Sequence, residues 1–289
     1  MTASSIKRAD IIKVKDQESQ PSADALAIEE PLEIRLEYGS ATDRTVQNVS
    51  VTMRTPGNDI ELATGFLFTE GIIKNAGDIA NAEHCFIACA ENKENVVMVK
   101  LKKDITPNLQ NTERNFYTTS SCGVCGKGSI AAIRTVSAYA GETKDETFVN
   151  AEMLYRLPDV LRDNQSAFAD TGGLHAAGLF DLKGNLLLIR EDVGRHNALD
   201  KLIGAALIKN LLPLNKTILL LSGRASFELV QKAAMSGISI IAAVGAPSSL
   251  AVELATEFNI TLAGFLRNNR FNIYNAAHRI ILPVHENTY

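Results

Sequence analysis

The sequence has no apolar run that could cross a membrane or direct secretion. No segment reaches the ~18 consecutive apolar residues that indicate a transmembrane helix. Residues 1–31 also lack the apolar stretch of a signal peptide. We therefore expect a cytoplasmic protein without a membrane partner, in a compartment that keeps thiols reduced. The polar composition of residues 1–25 predicts a disordered N-terminus.

An excess of positive charge is also missing. The chain has 29 lysines and arginines against 33 aspartates and glutamates, a formal net charge of −4. Without a global basic field, we expect no nucleic-acid partner. With 46% hydrophobic and 21% charged residues, the 289-residue chain has the composition of a globular protein of one large or two smaller domains.

Cysteine is scarce, with four residues in the whole chain. In a cytoplasmic protein such a set indicates metal or redox chemistry more than a disulfide framework. Cys85 and Cys89 lie in the segment EHCFIACAE, which alternates like a strand. On a strand their Cα atoms would be about 13 Å apart, too far to share one zinc ion. We expect two small buried apolar residues there.

The other two cysteines, Cys122 and Cys125, lie in the segment SSCGVCGKGS. The three glycines around them indicate a mobile loop, since glycine favours backbone freedom. Such a pair can bind a structural metal, act as a redox couple or carry sulfur as a persulfide. A cation at Lys127 would favour the reactive thiolate form. The spacing alone leaves these three functions open.

The zinc-dependent nucleobase deaminases are excluded by two missing features. Their chemistry requires an H-x-E motif followed by P-C-x-x-C, with the glutamate transferring protons. Here the histidine motif is His175-Ala176-Ala177, without a glutamate. The C-x-x-C precedes this motif and has no proline before it. We expect no deaminase activity.

The chain is predicted to contain two ordered parts: a smaller α+β domain over residues 26–112 and a larger α/β domain over 113–289. Apolar/polar alternation and turn signals divide both parts into elements. Strands are predicted over residues 31–38, 46–54, 83–89, 96–101, 175–181 and 185–190. Helices are predicted after a cap at Asn58 or Asp59, over 129–140 and after the segment EDVGRHN.

The last third predicts a mostly parallel sheet. Strands at 217–221, 238–244 and 260–265 are apolar on both faces and alternate with helices. The loops after parallel strands meet at one edge of the sheet, where α/β proteins bind ligands. Hydroxyl and guanidinium groups collect in these loops, at Ser222, Arg224, Ser226, Ser248, Ser249, Arg267 and Arg270. Arginines and helix N-termini suit an anion or nucleotide, and the alternative is a solvated loop edge.

A second polar group surrounds two histidines that follow glycine-containing turns. His175 and His196 could each donate a proton, orient a ligand or be buried and hydrogen-bonded. The neighbouring polar residues, which could be a structural network or part of a site, are Glu191, Asp192, Arg195 and Asn197.

Five motifs occur in one order along the chain: SSCGVCGKGS, TGGLHAAGLF, EDVGRHNALDKLIG, SGRASFELVQKAAMSGISIIAAVGAPSSLAVELA and GFLRNNRFNIY. Together they resemble the formate dehydrogenase accessory sulfurtransferase family, the FdhD family, over residues 30–280. The resemblance implies a cytidine deaminase-like three-layer core without the deaminase zinc and with no metal of the protein's own, a smaller domain and a homodimer.

The resemblance also implies a reaction. Sulfur passes from a cysteine desulfurase to a loop cysteine, and then to the molybdenum or tungsten bis-molybdopterin guanine dinucleotide cofactor of the formate dehydrogenase apo-enzyme. Cys122 matches the persulfide-bearing cysteine, with Cys125 as its partner. The stretch that matches the family's cofactor-binding segment is Phe265, Leu266, Arg267, Asn268, Asn269 and Arg270. Ser222 and Arg224 join this set through the sheet-edge argument.

Two rival functions stay open. The protein could be a chaperone that holds the cofactor through the arginine edge while the cysteines are passive. It could also use the C-x-x-C segment to bind a structural zinc ion.

Overall fold

The computed structural model describes residues 5–85, 94–109, 139 and 147–282. The strands are β1 (Ile6–Lys15), β2 (Glu18–Ala27), β3 (Glu30–Gly39), β4 (Arg44–Arg54), β5 (Ile79–His84), β6 (Val96–Leu101), β7 (Val149–Asn150), β8 (His175–Asp181), β9 (Leu186–Asp192), β10 (Thr217–Leu221), β11 (Ile240–Ala243), β12 (Thr261–Arg267), β13 (Arg270–Asn275) and β14 (Ile280–Ile281). The helices are α1 (Asp59–Thr69), α2 (Ala151–Asp163), α3 (Ser166–Thr171), α4 (Arg195–Ile208), α5 (Phe227–Met235) and α6 (Ser249–Glu257), with 3-10 turns at Ala76–Asp78 and Ala277–Arg279.

The N-terminal segment is a β-hairpin, so the predicted disorder of residues 1–25 is wrong from Ile6 onward. Strands β1 and β2 pair antiparallel from Ile6 opposite Ala27 to Lys15 opposite Glu18. The two residues between them, Asp16 and Gln17, have φ of 49° and 72°, as a tight hairpin turn requires. Pairing satisfies the backbone groups although most side chains are exposed. The polar composition therefore hid a hairpin that depends on backbone hydrogen bonds and on contact with α3.

Strands β3 to β6 form a four-stranded sheet in the order β4-β3-β6-β5. Strand β3 pairs antiparallel with β4 and parallel with β6. The alternation that predicted strand 31–38 places Leu32, Ile34 and Leu36 on the buried face, each fully excluded from solvent. Strand β5 ends at His84, earlier than the predicted strand 83–89, and Cys89 lies outside the described residues.

A six-stranded sheet in the order β13-β12-β11-β10-β8-β9 forms the larger unit. The central strands β10, β11 and β12 are parallel, as predicted. The flanking strands β8, β9 and β13 pair antiparallel, so the sheet is mixed and the prediction of a mostly parallel sheet is wrong. Two of these antiparallel pairs follow from the connections: short turns join β8 to β9 and β12 to β13, and a short turn makes the two strands that it joins antiparallel.

Helices cover both faces of this sheet. Alternate residues of β10 point to opposite sides: Leu219 and Leu221 join the buried cluster that includes α4, α5 and α6, while Ile218 and Leu220 join the cluster that includes α2. The sheet is therefore the middle of three layers. Loops at the ends of its strands can come together to form a site.

Helices α1 and α4 join the two sheets into one core. The larger buried cluster contains Leu32 and Leu67 from the first part of the chain together with Leu202 and Leu221 from the second. The predicted domains 26–112 and 113–289 thus share their apolar interior. The predicted boundary at residue 112 lies outside the described residues.

Two glycines allow the helices to meet. A Cβ on Gly65 of α1 would overlap the carbonyl oxygen of Asp200, and a Cβ on Gly204 of α4 would overlap that of Glu61. Backbone contact at this crossing requires glycine on both helices.

In the part of the chain that is described, no helix has both the length and the apolar character to span a bilayer.

Candidate ligand site at the carboxyl edge of the sheet

The loops after β10 and β11 lie side by side at the carboxyl edge of the sheet, as predicted from the parallel strands. The amide of Gly245 donates to the carbonyl of Gly223 at 2.9 Å, and that of Ser248 donates to Ala225 at 3.0 Å. The amide of Phe265, near the end of β12, donates to Gly245 at 3.0 Å. These backbone bonds continue the sheet past its strands and hold the three connections together.

The first connection carries Ser222 and Arg224, both predicted to contact a cofactor. The Ser222 hydroxyl accepts a 2.8 Å hydrogen bond from the amide of Ala176, and the Ser222 amide donates to the carbonyl of Ala176. Ser222 is thus held against β8, with its own hydroxyl proton still able to donate. Arg224 is exposed, and its Cγ lies 3.0 Å from the position that a Cβ on Gly245 would take. A side chain at position 245 would therefore crowd the aliphatic part of Arg224.

Two helices begin at this edge. Ser248 caps α6, because its side chain accepts a bond from the Ala251 amide. Ser226 precedes α5 without such a bond, and its Oγ lies 3.2 Å from Nε2 of His196. Both helix N-termini were predicted to face the ligand edge, and both begin where expected.

Residues 265–270 form a hairpin rather than the predicted loop. Strand β12 continues through Arg267 and β13 begins at Arg270, with only Asn268 and Asn269 between them. Both asparagines have φ of 52°, a left-handed conformation that asparagine tolerates well. The pattern of arginines and asparagines resembles a loop, which is why the sequence did not predict β13.

The six residues of the predicted cofactor segment divide into three groups. Leu266 is fully buried in the cluster beside α2, so any contact with a ligand at the surface would be made by its backbone, and its place in the cofactor segment stays a prediction. Phe265 is half-buried at a backbone irregularity with φ of 56°. The exposed residues are Arg267, Asn268, Asn269 and Arg270.

The hairpin tip concentrates positive charge. Arg267 and Arg270 are directly opposite each other across the two strands. Like charges in opposed positions repel, and a bound anion would relieve the repulsion. Within the described ranges, no ion pair involves the arginines of this edge, which are Arg195, Arg224, Arg267 and Arg270.

In the polar group around His175 and His196, Asp192 has a structural role. Its carboxylate is fully buried and lies 2.7 Å from Nζ of Lys201. It also accepts bonds from the amides of Thr55 and Gly194 and from the side chain of Asn197. Burial raises the pKa of the Asp192 carboxyl, and the lysine and the other donors oppose that rise. These bonds connect β9 and α4 to the end of β4.

Glu191 and His196 are also engaged in structure. The Glu191 carboxylate accepts bonds from the amides of Ala167 and Phe168 at the start of α3. His196 is buried, with Nε2 3.2 Å from the Ser226 hydroxyl and 3.5 Å from a carboxylate oxygen of Glu228. For these two residues the structure favours a hydrogen-bonded framework over a reacting group.

His175 and Arg195 differ from their neighbours. His175 begins β8 and lies against Gly223: a Cβ on that glycine would be 3.3 Å from the imidazole Nδ1. Burial lowers the pKa of His175, the charge of Arg195 lowers it further, and Asp192 acts in the opposite direction. The imidazole is therefore neutral at pH 7. Nε of Arg195 is buried and makes no hydrogen bond.

Cys122 and Cys125 lie outside the described residues, as does the helix predicted over 129–140. Their roles stay predictions. Cys85 is a free, half-buried thiol at the end of β5. Among the residues that the structure describes, no group of His, Cys, Asp or Glu side chains is arranged to hold a metal ion.

Comparison with known proteins gives a consistent result. The model of the FdhD/NarQ family matches residues 27–281. A sulfur carrier protein FdhD from Streptomyces avermitilis is 48% identical over 278 residues, which cover 96% of each chain. The protein of the same name from Mycolicibacterium paratuberculosis is 52% identical over 89% of this chain and 92% of its own. One from Picrophilus torridus is 45% identical over the same shares.

A solved structure has the same fold. The crystal structure described as a formate dehydrogenase accessory protein from Desulfotalea psychrophila aligns with a TM-score of 0.71. The alignment covers 96% of this chain and 100% of that one at 24% sequence identity. At this identity the likeness supports the fold alone.

Proposed function

We propose, from the premise that this chain belongs to the FdhD/NarQ family, that it carries sulfur for the maturation of formate dehydrogenase. The observation that carries the proposal is the similarity to sulfur carrier proteins along 96% of both chains. In detail, Cys122 accepts sulfur as a persulfide from a cysteine desulfurase. The acceptor is the molybdenum or tungsten bis-molybdopterin guanine dinucleotide cofactor, held as substrate at the carboxyl edge.

The loading step is a thiol exchange. The Cys122 thiolate attacks the terminal sulfur of the desulfurase persulfide, forming Cys122–S–SH and releasing the desulfurase thiolate. The terminal sulfur of the Cys122 persulfide is the atom destined for the cofactor, and it leaves as hydrosulfide when a thiol attacks the inner sulfur and forms a disulfide. Cys125 shields the persulfide, relays it, or attacks the inner Cys122 sulfur. This last route releases hydrosulfide and leaves a disulfide that a dithiol reductant must reopen.

The exposed arginines support the cofactor part of the proposal. Arg224, Arg267 and Arg270 lie on neighbouring connections of one edge and have no carboxylate partner among the described residues. Guanidinium groups bind phosphates and guanine edges in a bidentate manner. A homodimer and a cytidine deaminase-like core belong to the same proposal.

The experiment loads the purified protein from a cysteine desulfurase with ³⁵S-cysteine and measures protein-bound label and intact mass. We expect one labelled sulfur, an added mass of about 32 Da, on the peptide that holds Cys122. Cys122→Ala should abolish the label, whereas Cys85→Ala, at the free thiol that directly follows β5, should keep it. Label retained in Cys122→Ala would contradict the assignment of the carrier.

Two further outcomes would favour the rival functions. Full formate dehydrogenase maturation by a variant lacking both Cys122 and Cys125 would indicate a cofactor chaperone. About one zinc ion per chain, lost in the same variant, would indicate a structural metal site.

A further inference from the structure

An open pocket lies where α1, β5 and the end of α4 meet, and no step of the proposed sulfur transfer uses it. Its volume is about 420 Å³, within the range of sites that bind ligands. Ile60 and Thr64 line it one turn apart on α1, Ile79 and Ala82 come from β5, and Ile208 ends α4. The Thr64 hydroxyl already donates to the carbonyl of Ile60. The pocket wall therefore offers mainly apolar contact.

Apolar surface continues beyond the pocket wall. Ile208 is 47% exposed, and Leu211, three residues further along the chain, is 46% exposed. The residues of α4 that precede Ile208 are almost all buried, so the change to exposed aliphatic side chains is confined to this end of the helix. Exposed aliphatic side chains beside a concave apolar wall are typical of an interaction surface.

Three lysines border the pocket. Lys209 lies between two residues of the pocket wall in the sequence. The amides of Lys74 and Lys102 both donate to Asp78, at 2.7 Å to its carboxylate and 2.8 Å to its carbonyl oxygen. Asp78 directly follows Gly77 of the pocket wall. All three lysines are exposed, and we refer to them as the lysine rim.

The lysine rim has a positive charge that its surroundings do not balance. Among the described residues, none of its three lysines is in an ion pair. The acids next to the pocket wall are engaged: Glu61 pairs with Arg190, and Glu83 pairs with Lys100. Asp78 remains, one carboxylate against three lysines. This basic surface on a chain of net charge −4 is complementary to an acidic partner.

We propose that the pocket and the lysine rim form a docking site for an acidic helical segment of another protein. Apolar side chains four residues apart lie on one face of a helix, and two of them would contact the wall beside Ile60 and Thr64. Acidic residues next to them face the lysine rim. A membrane surface fits less well, because an interfacial protein inserts a protruding apolar face into the lipid, whereas this surface is concave.

The docking site is separate from the carboxyl edge of the sheet. Helix α4 has 14 residues, a length of about 21 Å, and it leads from His196, beside Ser226 at that edge, to Ile208 at the pocket. A partner held at the pocket therefore leaves the carboxyl edge accessible. The inference goes beyond the proposed function and stands whether or not Cys122 carries sulfur.

The first test measures binding of a fluorescein-labelled helical peptide to the full chain by fluorescence anisotropy. The peptide has about 14 residues, or four turns, with two leucines four residues apart and glutamates beside them. Replacing both leucines by alanine should weaken binding about tenfold or more. Replacing the glutamates by glutamine should weaken it about threefold or more at an ionic strength of about 0.01 M, and this difference should disappear near about 1 M.

Variants of exposed residues locate the contact without disturbing the core. Ile208→Asp should weaken binding of the acidic peptide about tenfold or more, because it removes an apolar contact and adds a like charge. Lys209→Glu should weaken it about threefold or more. The matched controls are Leu250→Asp, at a leucine on α6 that is 45% exposed, and Lys13→Glu, at an exposed lysine on β1. Both should bind like the wild type, and urea denaturation should show that all four variants are folded.

Methyl NMR of the isoleucines provides an independent measurement. The peptide should shift the methyl signals of Ile60, Ile79 and Ile208, which line the pocket, and leave that of Ile12 on β1 unchanged. The inference would be overturned if the wild type did not bind the peptide, if the alanine or glutamine peptide bound equally well, or if the shifts lay elsewhere. Binding to phosphatidylglycerol vesicles instead of the peptide, lost in Ile208→Asp, would indicate a membrane surface and would also overturn it.

Discussion

Lys201 and Asp192 form an ion pair in which both side chains are almost completely buried. Removing the lysine would leave a carboxylate in the interior, because the three remaining donors carry no full charge. We expect Lys201→Met to lower the free energy of unfolding by about 3–5 kcal/mol at pH 7, measured by urea denaturation. Lys201→Met combined with Asp192→Asn should recover part of that loss.

The pH dependence of this variant follows from the same carboxyl. Burial already raises the pKa of Asp192 in the folded wild type, and removing Lys201 removes an opposing charge. A raised folded-state pKa gives stability that is present below the unfolded-state pKa and is lost as pH rises through the folded-state value. The stability deficit of Lys201→Met relative to the wild type should therefore shrink from pH 7 toward pH 4. A deficit independent of pH would contradict this account.

At the scale of residues, the sequence predicted chemical types better than partners. The polar group around His175 and Asp192 was found from the residue types. The sequence did not predict which of its members make structural hydrogen bonds and which are available to a ligand. That division depends on Thr55 and Lys201, which are brought together only by the packing of β4 against α4. Likewise, Leu266 matched a functional motif although the twist and register of β12 bury its side chain.

At the scale of elements, the helices α1 and α4 cross with their backbones in direct contact at Gly65 and Gly204. Alanine at Gly65 or Gly204 would place a methyl group into the carbonyl of the facing helix. We expect Gly65→Ala to destabilise the protein by about 1–3 kcal/mol or more, because the helices must separate. Thermal and urea unfolding would measure this loss.

Gly173→Ala is the control for that substitution. A Cβ there would approach no atom closer than 3.9 Å, an ordinary contact. We expect a change within about 0.5 kcal/mol. Equal losses at Gly65 and Gly173 would mean that the helix crossing tolerates a methyl group.

Several elements of the last third of the chain, where the apolar pattern is strong, were predicted well from the sequence. Strand 217–221 was predicted with the bounds that the structure has, and two helices begin directly after Ser226 and Ser248, where helix N-termini were predicted. The predictions missed the helices α2 and α3, and they missed the strands β1, β2 and β13, whose side chains are all exposed or half-buried. Such strands are stabilised by pairing with a neighbour, a property that no local window of sequence contains.

At the scale of the whole molecule, the shared apolar cluster predicts one cooperative unit. Residues from β3, α1, α4 and β10 lie in the same cluster, so separating the two sheets would expose it. We expect differential scanning calorimetry of the full chain to show a single transition with equal calorimetric and van't Hoff enthalpies.

The Gly65→Ala variant extends this prediction. Its melting temperature should fall without a second transition, because the strain lies inside the shared cluster. Two resolved transitions in the wild type would instead support independent domains with a boundary near residue 112.

The saturated carboxylate of Asp192 has a consequence for molecular recognition. Its donors fix the turn between β9 and α4, the turn that leads directly into Arg195. The entropy of ordering that backbone is therefore lost during folding rather than on association. A ligand that contacts this corner would meet a backbone that is already ordered, so its binding should involve little further loss of conformational freedom.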